Sequence, residues 1–160
     1  MFGVRHFSAA NGEQMQHIQE ALRQVVEGDD FTPAREVLRT VKAADAVRIV
    51  PGLPYSLATN VAHADIWNRL WLASLEGTGK VNPFPDFPVV SEADWAAVRD
   101  SFVANLDRAY AIACAEPFVH KCRSLESAEK KLLKITVHSA YHVGQMRLLK
   151  RALRAVRREK

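Results

Sequence analysis

Apolar residues recur at intervals of three and four along four long segments of the chain, which is the period of an amphipathic helix. We predict helices over about residues 12–27, 56–76 and 91–116, and from about residue 125 into the C-terminal end. The apolar stripes comprise Met15, Ile18, Leu22 and Val25 or Val26 in the first helix, Trp95, Val98, Phe102, Leu106 and Ala109 in the third, and Leu132, Ile135, Met146, Leu149, Leu153 and Val156 in the fourth. Because no alternating pattern of comparable weight predicts a strand, we expect an all-α fold.

Capping signals bound these helices. The second follows the sequence PGLP, where Ser56 can accept a hydrogen bond from a free backbone N–H, and Gly77 can close the helix. The third begins at SEAD, a capping box from Ser91 to Asp94, and Pro117 stops it. Four amphipathic helices of this length pack as an antiparallel-type bundle, so we predict a four-helix bundle in a single domain over residues 1–160.

Two connections carry signals of their own. Thr32-Pro33 marks a helix start, which predicts a short extra helix within residues 33–41, after the first long helix. Residues 46–50, AVRIV, fit a brief extended piece. Residues 77–90, GTGKVNPFPDFPVV, contain three prolines and are too stiff for a flexible linker. We name this segment the flap and expect it to be ordered, because Phe84 and Phe87 would otherwise be exposed.

Composition and charge restrict the possible partners. No apolar run approaches the roughly 20 residues that span a bilayer, and two cysteines make no disulfide framework, so we expect a cytoplasmic protein without a membrane partner. The net charge of +4 is concentrated in residues 147–160, which hold seven basic residues and one acidic residue. The simplest interpretation is a solvated helix end, and a patch for nucleic acid or an acidic partner is the alternative. Nucleic acid ranks last, since no aromatic residues for base stacking lie beside these arginines.

The fourth helix carries two histidines on its apolar stripe, in the sequence ITVHSAYHVGQM. His138 and His142 are four residues apart, so they project side by side, about 6 Å apart along the axis. Burying an imidazole costs free energy unless its nitrogens find partners, and two adjacent buried imidazoles resist being protonated together. A divalent cation resolves both difficulties, since it binds neutral imidazole nitrogens at about 2.0–2.1 Å.

A third histidine interrupts the apolar face of the second helix. His63 lies in NVAHADIWNRLW, on the face that carries Asn60, Trp67, Leu70 and Trp71. Facing helices of a bundle can bring such residues to one point, and three histidines without a fourth protein ligand leave the open position of a catalytic metal site. The pattern alone leaves two other interpretations open. The histidines could be core residues satisfied by hydrogen bonds, or surface residues on a helix whose phase is misassigned.

Two segments resemble the signatures of the DinB/YfiT-like superfamily: HSAYHVGQMRLLKR on the last long helix, and PYSLATNVAHADIW on the second. The order of the histidines, one in the second long helix and a pair four residues apart in the last, agrees with that superfamily, and the resemblance extends over essentially the whole chain. It implies a four-helix bundle of up-down-down-up topology. It also implies a divalent metal ion, zinc or nickel among others, held by three histidines that map onto His63, His138 and His142.

The resemblance further implies a class of function. Characterised members include transferases and isomerases that depend on low-molecular-weight thiols, many others are classed only as metal-dependent hydrolases, and many members are dimers. We therefore expect a metal-dependent enzyme that activates water or a thiol, takes a small-molecule substrate and forms a homodimer. Trp67, Trp71 and Phe84 are candidates for apolar walls of its substrate site. The alternative is a non-catalytic, metal-binding and dimerising bundle that acts through partners.

Other residues near the histidines are candidates for supporting roles. Asn60 and Gln145 each lie three residues from a histidine on the same helix, which suits groups that orient metal ligands. We expect Gly144 to permit the close approach of a helix or a ligand. Asp65 and Glu116 are interpreted as surface carboxylates, with acids near the site as the alternative.

Overall fold

The structure, a computed structural model, describes residues 9–158 of the 160-residue chain and the side chains within residues 12–157. In this range it holds six helices and no strand, which confirms the all-α prediction: α1 (Ala9–Val26), α2 (Ala34–Leu38), α3 (Ala43–Ala46), α4 (Leu57–Glu76), α5 (Trp95–Cys114) and α6 (Leu125–Arg158). None of the helices within residues 9–158 combines the length and the apolar composition that a bilayer crossing requires.

Local chemistry sets the ends of the long helices. The Ser56 hydroxyl accepts a hydrogen bond from the Thr59 backbone N–H at 3.1 Å. At the other end Gly77 caps α4, and its φ of 69° is left-handed. α5 begins at Trp95, four residues later than predicted. Ser91 does bond to Asp94, but the pair closes a turn ahead of the helix, with the Ser91 hydroxyl 2.6 Å from the Asp94 carboxylate.

The connection between α1 and α4 differs from the prediction in detail. The expected short helix is present as α2, and a second short helix, α3, follows it. The predicted extended piece at residues 46–50 is wrong, because Ala46 ends α3 and Val47 caps it in the helical region. Ala46 is fully buried in the core, so this segment packs against the long helices instead of pairing as a strand.

The helices pack around α4, which contacts both α5 and α6, while α1 packs against the same two helices. The predicted apolar stripes face this interior, and most of their members are buried, while Val26, Val98 and Val156 are half-buried. Because α4 is enclosed along most of its length, several of its polar residues are buried too, namely Thr59, Asn60, His63, Asp65 and Asn68. Such groups require partners inside the protein, which places polar chemistry at the interfaces of α4.

Candidate metal centre

Three histidines meet where α4 packs against α6. His138 Nε2 lies 3.2 Å from His63 Nε2 and 3.2 Å from His142 Nε2. One ligand nitrogen from each residue lies within 4.8 Å of the other two, and the three form a group that could hold a metal ion. His63 and His142 are buried and His138 is half-buried, so the group is enclosed on the α4 side and reaches the surface at His138.

The donor set fits a divalent ion better than it fits a hydrogen-bonded cluster. A neutral imidazole nitrogen makes one hydrogen bond in the plane of its ring, either as a donor or as an acceptor. His138 Nε2 can therefore bond to His63 or to His142, but not to both. Tetrahedral zinc with nitrogen ligands at about 2.0–2.1 Å separates those nitrogens by about 3.3 Å, which is close to both separations here. His138 Nδ1 is buried and has no hydrogen-bond partner among the described residues, so the ring is not held by bonds at its other nitrogen.

His63 is oriented by the flap. Its Nδ1 lies 2.8 Å from the Asp86 backbone carbonyl oxygen and 3.0 Å from the carboxylate oxygen Oδ1 of the same residue. Both of these atoms are acceptors, so Nδ1 carries the proton and Nε2 presents its lone pair to the other histidines. This is the tautomer that a metal ligand needs, and a carboxylate on the far nitrogen is the usual support for such a ligand.

Asn60 and Gln145 both lie beside His142. The sequence spacing associated Asn60 with His63 in the same helix, whereas its amide contacts His142 of α6. The Asn60 amide nitrogen is 3.2 Å from His142 Nδ1 and 2.7 Å from the Gln145 side-chain oxygen. Asn60 Oδ1 has no partner among the described side chains. If the side-chain amides of Asn60 and Gln145 are both flipped by 180°, the Asn60 oxygen faces His142 Nδ1 and the Gln145 nitrogen donates to that oxygen. The pair can therefore support His142 with its proton on either nitrogen.

Burial keeps two of the imidazoles unprotonated. Burial, reinforced by repulsion from His63, lowers the pKa of His138 from 6.5 to about 4. Burial and the neighbouring His138 and His63 lower the pKa of His142 to about 3, against a smaller opposing effect of its hydrogen bond to Gln145. Both rings are therefore neutral at neutral pH, which is the form that binds a cation.

Aromatic rings enclose the histidines. Phe87 of the flap stacks on His63 with ring centroids 4.0 Å apart and planes 9° from parallel, and Tyr55 stacks on Phe87 at 5.1 Å. Trp71 of α4 meets His138 edge to face at 5.2 Å. These rings remove water from one side of the group, which strengthens electrostatic interactions within it.

The expected apolar walls are present only in part. Trp71 is buried against His138, and Trp67 lies half-buried with its ring 6.5 Å from His63. Phe84 does not contribute, since 70% of its surface is exposed. Asp86 is anchored at His63 and Trp67, and this anchor directs the adjacent Phe87 ring onto the imidazole instead.

The expectations for two other residues near the histidines are corrected. Asp65 is buried in the core, where it accepts hydrogen bonds from the Ser101 hydroxyl at 2.9 Å and the Asn105 amide at 2.8 Å. These bonds make Asp65 an internal link between α4 and α5. Burial raises the pKa of its carboxyl. None of the described helices approaches Gly144 closely, because a Cβ added there meets nothing within 4 Å. Glu116 is exposed, as a surface carboxylate should be.

The sequence interpretation missed the roles of Asp86, Phe87 and Tyr55. The flap was expected to pack over the bundle and cover Phe84 and Phe87, but both remain exposed, at 70% and 43%. No periodicity assigns a loop residue to a site. The available signal was the alternation of proline and aromatic residues around a single acidic residue, PFPDFP. No family model, no curated protein and no solved structure matches this chain.

Proposed function

We propose that this protein is a metal-dependent enzyme whose divalent ion, zinc or nickel, is held by His63, His138 and His142. The proposal includes the DinB-like assignment and an up-down-down-up bundle of α1, α4, α5 and α6. The observation that carries it is the approach of three imidazole nitrogens from two helices, with both separations at His138 near those of a tetrahedral site. When bound, the ion would supply Lewis acidity that lowers the pKa of a water or a thiol beside it.

The remaining groups serve this reaction by position. Asp86 keeps the proton of His63 on Nδ1, and Asn60 with Gln145 supports the far nitrogen of His142. Three protein ligands leave a four-coordinate ion one further position, which a water or a thiol sulfur can take. His138 is only half-buried, so the histidine group is accessible from that side.

The surroundings suit a small, partly apolar substrate. Trp67 and Trp71 form an apolar floor beside His138, and the Tyr141 ring lies 5.1 Å from His142 at the surface. The candidate reactions, which the resemblance to the DinB-like superfamily implies, are hydrolysis and transfer of a low-molecular-weight thiol. Among the described residues we assign no general acid or base, since the carboxylate nearest the histidines, Asp86, is already used in holding His63.

The experiment that tests this function measures metal content and turnover on the same preparation. Protein stripped with a chelator is reloaded with zinc or nickel and assayed against panels of esters and of thiol acceptors. We expect turnover only in the reloaded protein, with His142→Ala inactive under all conditions and His17→Ala, at an exposed position of α1, unchanged. Equal turnover with and without the metal would contradict the proposal.

A second candidate function, a non-catalytic bundle that binds metal and dimerises, is favoured by one surface feature. Leu133, Val137, Tyr141 and Leu148 form a stripe along the outer face of α6, and each is between 48% and 62% exposed. Their spacing of about one and two turns places them on one side of the helix. Monomeric proteins rarely expose a continuous apolar patch of more than a few hundred Å², so this stripe suits contact with a second copy.

Turnover separates the two functions, since both include a dimer, and oligomeric state tests whether that dimer uses the stripe. Val137→Glu should dissociate a dimer that uses the stripe. Val119→Glu changes an equally exposed valine outside the stripe, 65% exposed, and should leave the dimer intact. A dimer that binds zinc but shows no turnover on either panel would favour the second function.

A further inference from the structure

The flap touches the candidate metal centre through two consecutive residues, Asp86 and Phe87. Phe87 keeps 43% of its surface exposed, and Phe84 and Val89 are more exposed still, at 70% and 97%. A proline-rich segment with such exposed side chains has little of its own core to order it. Val90 anchors the end of the flap in the core. Asp86 and Phe87 hold its middle, and the ring that both of them contact is His63.

We propose that the flap is a positioning element for the metal ligand His63, and that its docking and ion binding stabilise each other. This inference rests on the proposed metal site. Asp86 and Phe87 hold the His63 imidazole with its Nε2 toward the other histidines, so a docked flap raises the affinity for the ion. By linkage, a bound ion raises the stability of the docked flap by the same factor.

Asp86 fixes the proton and the tilt of the ring. Its carbonyl and carboxylate oxygens both face His63 Nδ1, and the carboxylate Oδ1 also accepts from Trp67 Nε1 at 2.7 Å. The carboxylate therefore joins two side chains one helical turn apart on α4. Rotation of the imidazole away from His138 would break a charge-assisted hydrogen bond in a partly buried place.

Phe87 fixes the plane of the ring. The Phe87 and His63 rings lie 9° from parallel with their centroids 4.0 Å apart. Tyr55, which lies just before α4, stacks on Phe87 with ring centroids 5.1 Å apart. A stack of this kind restrains rotation of His63 about its side-chain bonds without touching Nε2. Removal of the Phe87 ring should free the imidazole while leaving every metal ligand in the chain.

Phenylalanine is found in the flap twice, which provides a matched control. Phe87→Ala removes the ring on His63, and Phe84→Ala removes a ring three residues away that lies exposed in the same segment. The chelator-stripped proteins are titrated with cobalt, whose visible absorption reports the coordination of the ion, and affinity for zinc is then measured by competition. We expect Phe87→Ala to weaken binding about 10-fold or more, as loss of supporting groups does in metal sites, and Phe84→Ala to leave it within about twofold.

Two further measurements separate positioning from a general loss of structure. Asp86→Asn keeps the shape of the side chain, and it should also weaken binding while the thermal melt of the metal-free protein stays near that of the wild type. In the wild type, zinc should slow hydrogen exchange of the Trp67 indole N–H, which bonds to the flap. The Trp95 indole N–H, which donates to the Val41 carbonyl at 3.2 Å, serves as the internal reference and should not respond.

The outcomes distinguish this inference from the function on which it rests. If the wild type binds neither cobalt nor zinc, the metal site is wrong and the role of the flap falls with it. If the wild type binds the ion and Phe87→Ala binds it as tightly as Phe84→Ala, the metal site stands and the positioning role is overturned. Slower exchange at Trp67 together with a selective loss in Phe87→Ala and Asp86→Asn would support the inference.

Discussion

Asn68 of α4 and Ser139 of α6 are joined by their side chains across the interface that carries the histidines. The Asn68 amide donates to the Ser139 hydroxyl at 3.0 Å, and the hydroxyl lies 3.2 Å from the Asn68 carbonyl oxygen. Ser139 follows His138 directly in the chain, and both members of the pair are buried. The pair fixes the register of the two helices, and that register decides whether His63 meets His138.

Removing either side of this pair should destabilise the protein. Ser139→Ala leaves the Asn68 amide buried without its partner, which costs about 1–3 kcal/mol of the free energy of unfolding. We expect a similar loss for Asn68→Ala. The double mutant should lose less free energy of unfolding than the sum of the two single mutants, because the two residues act as a unit. Urea denaturation of the four members of the cycle measures this coupling, and additive losses would mean that the pair does not set the register.

Metal binding should raise thermal stability only while all three histidines are present. At an ion concentration 100 times the dissociation constant, binding adds about 2.7 kcal/mol, which is roughly 5–10 °C in melting temperature for a domain of this size. His138→Ala should abolish this increment, and His17→Ala, at an exposed position of α1, should keep it. Melting curves with and without zinc make the comparison. A full increment in His138→Ala would remove that residue from the ligand set.

The metal-free protein should lose stability as the pH falls below about 6.5. The unfolded chain protonates His138 and His142 near their ordinary pKa of 6.5, whereas the folded values are lowered to about 4 and about 3. The unfolded state therefore binds more protons between these values. Stability from this source is complete above pH 6.5 and declines down to about pH 4 and below.

The measurement is urea denaturation of chelator-treated protein at several pH values, with His138→Gln/His142→Gln as the reference. Between about pH 6.5 and pH 5 few exposed carboxylates titrate, so the difference between the two proteins isolates the histidines. The reference should vary less with pH than the wild type. Parallel curves would show that the two imidazoles titrate in the folded protein as they do in the unfolded chain.

Gly144 offers a stabilising substitution. It lies in the middle of α6, is exposed, and has open space where a Cβ would be added. Gly144→Ala should raise the free energy of unfolding by about 0.5–1 kcal/mol, because alanine restricts the unfolded chain and favours the helix. Thermal or chemical denaturation at low protein concentration, where a dimer contributes least, measures this gain. A loss of dimer in the same variant would show that a second copy uses the gap left by the glycine.

The residues that the sequence predicts well are those whose placement depends on their own helix. The stripe of α6 and the adjacency of His138 and His142 follow from a period of 3.6 residues, so four-residue spacing was enough to place them on one face. The same argument put His63 on the inner face of α4. Capping chemistry predicted the ends of α4 to within a residue, since it involves only neighbours in the chain.

Asp65 shows where this reasoning ends. From the sequence, a carboxylate in the middle of a helix is expected at the surface. Asp65 is buried because α5 supplies Ser101 and Asn105 as partners, from more than 30 residues away in the chain. The roles of Asp86 and Phe87 were hidden for the same reason, because a loop takes its conformation from what it contacts and not from a repeating pattern. Hydrophobic spacing and caps thus determined the helices and the inward direction of the histidines. Only the packing of α4 against α5, α6 and the flap decided that three rings from two helices converge and which groups hold them, since those contacts join residues that are remote in the chain.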